Sequence, residues 1–151
     1  MDPHPDFADV VLPRDFALGT YRLTPLSPDF VDEDFDAVMA AGPLMTGIFG
    51  SWPEGLTRAD NLIDLAWHER EFTARRSFSW IVRDPSGEYL GCFYVFPTLG
   101  RRGHAKAVLW LCEMPDRSGV AQTLQAALSA WLAETLPPGI VITWAIRPEL
   151  D

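Results

Sequence analysis

Residues 105–136 are predicted to form a strand, a loop and a helix in that order. The continuous apolar run 108–112 predicts a strand buried on both faces, and Pro115 cannot extend it. Across 120–132, apolar residues recur with the period of a helix face. A strand that enters a helix through a glycine-containing loop directs backbone N–H groups and the positive helix end at one point. This stretch therefore predicts an anion site, with phosphate as the commonest ligand.

The loop resembles the acyl-CoA pyrophosphate loop of the GNAT acetyltransferases, which is usually written Arg/Gln-x-x-Gly-x-Gly/Ala. Gly119 and Ala121 match the second half of that pattern, with Val120 between them. In the first half, Asp116 stands where Arg or Gln belongs, and Arg117 comes one place later. The resemblance implies a GNAT fold and an acyltransferase that uses acetyl-CoA as its cosubstrate.

In the resembled family, the fourth core strand binds pantetheine through its backbone, and the loop binds the pyrophosphate. Carried onto this sequence, the pantetheine residues are Leu111, Cys112 and Glu113, and the pyrophosphate residues are Arg117, Ser118, Gly119, Val120 and Ala121. Gly119 suits that role because a side chain would block the phosphate. Asp116 opposes it, because a carboxylate repels phosphate. The structural alternative is a plain strand-to-helix turn with Ser118 as N-cap.

Acetyl transfer to an amine needs a base for the ammonium proton and an acid for the departing thiolate. Glu113, at the end of the predicted central strand, is the candidate catalytic base, and the alternative is a carboxylate that only faces solvent. The family's acid is often a tyrosine after the fifth strand, a segment the sequence lacks, so Tyr94, Tyr89 and a water stay open alternatives. Cys112 has no neighbouring histidine and is expected to be a core thiol.

Two functions follow from this resemblance. The first is an acetyl-CoA-dependent N-acetyltransferase acting on an amine of a small molecule or peptide. The second is a catalytically inactive GNAT-fold binding or assembly module, favoured by Asp116, by the missing acid and by a short C-terminus. We adopt the first as the working prediction. An exposed apolar final strand would invite pairing, so a homodimer is also expected.

Length and composition limit the possible size of the domain, its partners, its location and its metal content. A chain of 151 residues, 48% of them hydrophobic, is long enough for one domain with a core of its own. The formal net charge of −9 argues against a nucleic-acid or anionic-membrane partner. No apolar run has membrane-spanning length and the first residues lack an export pattern, which predicts a cytoplasmic protein. The two cysteines have no metal-ligand spacing, so no metal is expected.

Periodicity and turn residues predict the helices and strands of the chain. We predict an N-terminal arm (1–19) and a single GNAT-like domain (20–151). The predicted α/β order is β-α-α-β-β-β-α-β, a mixed and mostly antiparallel sheet flanked by helices. Its elements are a strand (20–26), a helix from Ser27 to a stop at Gly42-Pro43, a helix (57–76), three strands (78–82, 89–97 and 105–112), a helix ending near 136, and a buried strand (140–146).

Two further stretches could reach a site. The loop 44–55 is expected to be anchored by Ile48, Phe49 and Trp52, and its functional alternative is a wall of the acceptor pocket. In the helix 57–76, the predicted buried residues are Leu62, Leu65, Ala66, Glu69 and Phe72, widened by Ile63 and Trp67. That face leaves His68 as an exposed residue among charges. The alternative for His68 is an imidazole polarised by Asp64 or Glu71.

Short turns are predicted to connect strand 78–82 to strand 89–97, and strand 89–97 to strand 105–112. A turn closing symmetrically about Arg102 would place Cys92 opposite Cys112, and Tyr94 opposite Trp110. Gly91, inside a strand, predicts a bulge or a close backbone approach.

Overall fold

The computed structural model describes residues 1–145, which form six strands, three α-helices and two short 3₁₀ turns. The strands are β1 (Phe16–Leu18), β2 (Tyr21–Pro25), β3 (Phe78–Arg83), β4 (Tyr89–Pro97), β5 (His104–Leu111) and β6 (Val141–Ala145). The helices are α1 (Val31–Met45), α2 (Arg58–Thr73) and α3 (Arg117–Thr135), and the 3₁₀ turns are Pro5–Phe7 and Pro28–Phe30.

All six strands lie in one sheet in chain order. Each neighbouring pair is antiparallel except β5 and β6, which are parallel. Helices α1 and α2 pack on one face of the sheet, and α3 packs on the other together with the N-terminal segment. The predicted mixed, mostly antiparallel sheet flanked by helices is therefore confirmed.

The N-terminal segment contributes core residues and a strand. Phe7, Val10 and Leu12 are buried on the α3 face, whereas Val11 is 86% exposed. The indole Nε1 of the buried Trp80 donates to the Arg14 carbonyl at 2.8 Å. Strand β1, which the sequence did not predict because it is three residues long, pairs with β2. Residues 1–19 are thus fastened to the sheet by apolar burial and hydrogen bonds.

Helix α1 continues through the predicted stop. Ser27 accepts a hydrogen bond from the Asp29 N–H as predicted, but it begins a 3₁₀ turn, and α1 follows from Val31 to Met45 with Pro43 inside it. The prediction of a stop at Gly42-Pro43 was wrong. Burial explains the extension, because Met45 is fully buried one turn after the buried Ala41. Packing of that last turn offsets the hydrogen bond that proline removes.

Helix α2 is rotated relative to the predicted apolar face. Its predicted cap is confirmed, since Thr57 and Asp60 form a reciprocal capping box. The buried residues, however, are Asn61, Leu65, His68, Glu71 and Phe72. Of the residues predicted to be buried, Leu62 is 38% exposed, Ile63 69% and Trp67 41%. Buried polar side chains with partners of their own determine this orientation, and a hydrophobicity pattern does not detect them.

The register of β4 on β5 also differs from the prediction. Cys92 lies opposite Trp110 and Tyr94 opposite Val108, so the proposed pairs Cys92–Cys112 and Tyr94–Trp110 were wrong. The turn closes one residue earlier than predicted, with the Thr98 N–H donating to the His104 carbonyl at 3.0 Å. Both cysteines are free thiols.

The close approach predicted at Gly91 is confirmed. A Cβ added to Gly91 would overlap the Trp110 carbonyl oxygen and lie 2.9 Å from the Leu111 Cα. The pairing of β3 with β4 also shifts at this point, because Val82 pairs with Gly91 and Arg83 with Tyr89. The extra residue is a β-bulge.

Strand β6 is less buried than predicted. Val141 is 53% exposed, and the strand alternates between exposed and partly buried residues. The described pairing with β5 runs from Val141 opposite His104 to Ala145 opposite Val108. Residue 146, the predicted end of this strand, lies outside the described residues.

Gly91→Ala should lower the free energy of unfolding by about 2–3 kcal/mol, because the added methyl group forces β4 away from β5. Gly100→Ala is the matched control. Gly100 has φ +75° and no neighbouring atom within 4 Å of an added Cβ, so backbone strain alone should cost about 1 kcal/mol. Urea unfolding of both variants measures the difference. Equal losses would show that the Gly91 contact is unimportant.

Candidate functional site

The end of β5 and the start of α3 form the strand, loop and helix expected for an anion site. The Cys112 N–H continues the sheet by donating to the Leu90 carbonyl at 2.8 Å, and Glu113 beyond it is exposed. The first backbone hydrogen bond of α3 runs from the Val120 N–H to the Asp116 carbonyl at 2.9 Å. The N–H groups of Ser118 and Gly119 precede it and have no acceptor within the helix.

Asp116 lies over this helix end. Its backbone is left-handed, with φ 53° and ψ 39°, and its side chain makes no capping hydrogen bond. A Cβ built on Gly119 would lie 2.6 Å from Asp116 Oδ1 and 2.7 Å from its Cγ. The carboxylate therefore packs against the one residue of the first turn that lacks a side chain. Ser118, the alternative N-cap, is inside the helix instead.

Arg117 faces inward. It is only 7% exposed, and its Nε donates to the Leu111 carbonyl at 3.2 Å. Burial lowers the pKa of this guanidinium from its usual value, and the nearby Glu113 opposes that shift. Arg117 thus ties the helix start to the strand end. Leu111 is also one of the residues that the family resemblance assigns to pantetheine binding.

A groove of about 410 Å³ opens beside this junction. We call it the acidic groove because Asp84, Glu88 and Glu113 lie along it, and it is also lined by Thr20, Tyr21, Pro85, Tyr89, Leu90, Cys112, Met114, Pro115 and Val120. Burial raises the pKa of Cys112 to about 11, so this thiol is protonated at neutral pH and unsuited to nucleophilic attack.

A buried polar cluster joins α1, α2 and β4 behind the groove. Asp34 is 3% exposed and accepts hydrogen bonds from the Tyr89 hydroxyl at 2.6 Å and from the Asn61 amide at 2.8 Å. The Tyr89 oxygen also lies 2.9 Å from the Cys92 sulfur. Burial raises the pKa of Asp34, although its two hydrogen bonds act in the opposite direction. The Asn61 carbonyl oxygen has no partner within the described residues.

A second cavity, of about 230 Å³, lies on the same face of the sheet. We call it the aromatic pocket, and it is lined by Phe49, Trp52, Asp64, Trp67, His68, Tyr94 and Phe96. His68 is 7% exposed, so the prediction of an exposed histidine was wrong. Its Nε2 lies 3.4 Å from Asp64 Oδ2, which fits the alternative that the sequence left open. The predicted anchors Phe49 and Trp52 form one wall.

The sequence did not predict that Asp64, His68 and the aromatic side chains line one pocket. The i, i+4 spacing of Asp64 and His68 was visible, but the predicted face of α2 turned His68 outward. The structure does not bring Glu113 into the aromatic pocket, since Glu113 lines the acidic groove. The two candidate acids are divided in the same way, because Tyr94 lines the pocket and Tyr89 the groove.

Residues 1–145 also bear on two other kinds of site, a metal centre and a membrane span. No group of three or more His, Cys, Asp or Glu side chains in this part of the chain is arranged to hold a metal ion. None of its helices is both long enough and apolar enough to cross a membrane.

Sequence comparison gives no relative, since neither a protein-family model nor a curated protein matches the chain. Solved structures do match. The microcin C7 self-immunity acetyltransferase MccE, in complex with acetyl-CoA and AMP, has a TM-score of 0.69 at 10% identity, covering 90% of this chain and 75% of that one. The ribosomal L7/L12 α-N-protein acetyltransferase RimL, in complex with coenzyme A, has a TM-score of 0.64 at 15% identity, covering 79% and 67%.

A GCN5-related N-acetyltransferase from Brucella melitensis is also similar, with a TM-score of 0.61 at 22% identity over 90% of this chain and 60% of that one. The chain thus spans between three fifths and three quarters of the length of these three proteins. At such low identities the likeness concerns the fold. The chain has the GNAT fold, as the sequence predicted.

The buried cluster makes a prediction about Asp34. Asp34→Ala should cost about 3 kcal/mol, because it leaves the Asn61 amide unpaired and the Tyr89 hydroxyl with only the Cys92 sulfur as a partner. Asp34→Asn should change stability by less than about 1 kcal/mol, since Asn61 can turn its unpartnered oxygen toward the new amide. Chemical denaturation measures both, and an Asn variant as unstable as the Ala variant would contradict this account.

The same pair of proteins tests the pKa shift. Because the pKa of Asp34 is raised on folding, its contribution to the free energy of unfolding is largest below its unfolded pKa. That contribution is lost as the pH rises through the raised native value. The stability of the wild type relative to Asp34→Asn should therefore decrease as the pH rises from the acid side. A constant or increasing difference would contradict the shift.

Proposed function

We propose that this chain is an acetyl-CoA-dependent N-acetyltransferase that acts on an amine of a small molecule or peptide. The observation that carries the proposal is the junction of β5 and α3 within a GNAT fold, where helix N–H groups without intrahelical acceptors follow the central strand. Coenzyme A in the RimL structure and acetyl-CoA in the MccE structure support this choice of cosubstrate.

In this proposal the pyrophosphate binds the first turn of α3, residues 117–121, with Ser118 and Gly119 contributing N–H groups. The end of β5, from Leu111 to Glu113, lies along the pantetheine. Arg117 already donates to the Leu111 carbonyl, so it acts as a structural support at this end. Asp116 must rotate away from Gly119 when the phosphate binds, and its exposed position leaves room to do so.

Acetyl-CoA supplies the thioester. The acceptor ammonium first gives a proton to a base, and the amine nitrogen then forms a bond to the acetyl carbonyl carbon. The carbon–sulfur bond breaks with its electron pair on sulfur, which takes up a proton, and the nitrogen loses its remaining extra proton. The products are an N-acetyl amide, CoA thiol and the one proton released from the ammonium.

Two locations could supply the base and the acid. Glu113 and Tyr89 lie along the acidic groove, whereas His68 and Tyr94 line the aromatic pocket. The hydroxyls of Tyr89 and Tyr94 both hydrogen-bond with the Cys92 thiol, so the two locations adjoin each other at Cys92. The variants Glu113→Gln and His68→Gln distinguish the two locations. The variant that removes the base should lower kcat more than the other variant does.

A catalytically inactive GNAT-fold binding module is the second candidate. Its support is Asp116, whose carboxylate lies against Gly119 where a phosphate would approach, together with the three carboxylates of the adjacent groove. Like charges near one another weaken binding, and the effect grows when solvent is excluded.

Asp116→Asn tests the proposal. It removes the charge, and asparagine tolerates the left-handed backbone at this position. Two unit charges about 4 Å apart in water repel by about 1 kcal/mol, so the variant should bind acetyl-CoA at least about fivefold more tightly than the wild type. Isothermal titration calorimetry measures both affinities. Glu134→Gln, the same change at an exposed position near the other end of α3, is the control and should leave the affinity unchanged.

Thiol release from acetyl-CoA in the presence of a panel of amines then tests the transfer itself. Binding together with amine-dependent thiol release supports the enzyme. If neither the wild type nor Asp116→Asn binds acetyl-CoA at millimolar concentration, the proposal fails and the binding-module function replaces it.

A further inference from the structure

The walls of the aromatic pocket suit a cation. Phe49 lies 5.4 Å from Tyr94 and 5.6 Å from Trp52, measured between ring centroids, and Tyr94 stacks on Phe96 at 5.5 Å. Trp67, which is 41% exposed, also lines the pocket. Aromatic faces carry negative electrostatic potential and attract ammonium groups, while their carbon surface accepts an apolar body.

A carboxylate lies within these walls. Asp64 lines the pocket with 41% of its side chain exposed, and its partner is His68, 3.4 Å away. Neither lysine nor arginine is among the described residues that line the pocket. The buried Asp34 acts electrostatically on this region as well, although its oxygens are occupied by Tyr89 and Asn61. An anionic ligand would thus be repelled here, and a cation would be attracted.

His68 fits a binding role better than a purely structural one. It is buried against Tyr94, with ring centroids 5.6 Å apart, and its Nδ1 has no hydrogen-bond partner in the described part of the chain. A buried polar atom without a partner costs free energy. An apolar residue would fill the same space without that cost, which indicates that the imidazole serves to hold the Asp64 carboxylate toward the pocket.

The size of the pocket limits the ligand. At about 230 Å³ it is smaller than the ~300 Å³ at which cavities for drug-sized ligands begin. It can hold a small amine or one side chain with its amino group, but not a nucleotide or a folded segment.

We propose that the aromatic pocket binds the acceptor of the reaction, and that this acceptor is a primary amine on a compact aromatic or apolar body. Its ammonium pairs with Asp64, and its body lies between Phe49, Trp52 and Trp67. That the bound amine is acetylated rests on the proposed function, whereas its binding does not.

The test uses the full chain without acetyl-CoA and phenethylammonium as the probe. Calorimetry should give an affinity at least about tenfold higher than for 2-phenylethanol, which has the same body without the charge. The anion 3-phenylpropionate should bind more weakly still. Equal affinities for the ammonium and the alcohol would overturn the proposal.

Variants locate the site. Asp64→Asn should weaken phenethylammonium binding about fivefold while leaving 2-phenylethanol unchanged. Glu69→Gln, an exposed acid on the same helix and outside the pocket lining, is the matched control and should bind as the wild type does. Trp67→Leu, at a partly exposed position that should not affect folding, should lose affinity for the ammonium more than for the alcohol. If Asp64→Asn and Glu69→Gln bind alike, the ammonium does not bind at Asp64 and the proposal is wrong.

The outcomes distinguish this proposal from the proposed function. Charge-dependent binding that needs Asp64, without acetylation of any amine, supports the pocket and contradicts the enzyme. Acetylation of amines with a KM unchanged in Asp64→Asn and Trp67→Leu supports the enzyme and contradicts the pocket as its acceptor site.

Discussion

The contact between Gly91 and the backbone of β5 is the constraint on which much of this structure depends. No side chain fits between Gly91 and the Trp110 carbonyl, and the β-bulge at the same point changes which face of β4 each residue occupies. Tyr89 and Cys92 are three residues apart, yet both pack on the face covered by α1 and α2. The bulge therefore brings Tyr89 to Asp34, while the regular part of β4 presents Tyr94 to the aromatic pocket.

The distribution of charge gives the two candidate sites different chemistry. Around the start of α3, a helix end that attracts anions lies beside Asp116 and the acidic groove. In the aromatic pocket, Asp64 of α2 lies among aromatic rings that favour cations. The net charge of −9 favours the binding of a cation over that of an anion such as the proposed cosubstrate, acetyl-CoA.

Periodicity and turn residues were sufficient to predict the order of helices and strands from residue 20 onward, the Thr57 cap, the close approach at Gly91 and the strand-loop-helix at residues 105–136. They failed where burial or a partner far away in sequence outweighed a local preference. Pro43 lies inside α1 because Met45 is buried beyond it, and α2 turns Asn61 inward because Asp34 is there to bond it. His68 was placed outside for the same reason, so the sequence could not predict the aromatic pocket.

The proposed binding of the acetyl-CoA phosphates at the start of α3 can be measured residue by residue, by titrating the ¹⁵N-labelled protein with acetyl-CoA and following its amides by NMR. The largest chemical-shift changes are expected at the amides of Ser118 and Gly119, with smaller ones at Leu111 and Cys112, while the amide of Val141, which lies opposite His104 at the other end of β5, should stay unchanged. Saturating acetyl-CoA that leaves the Ser118 and Gly119 amides unperturbed would contradict the proposed binding.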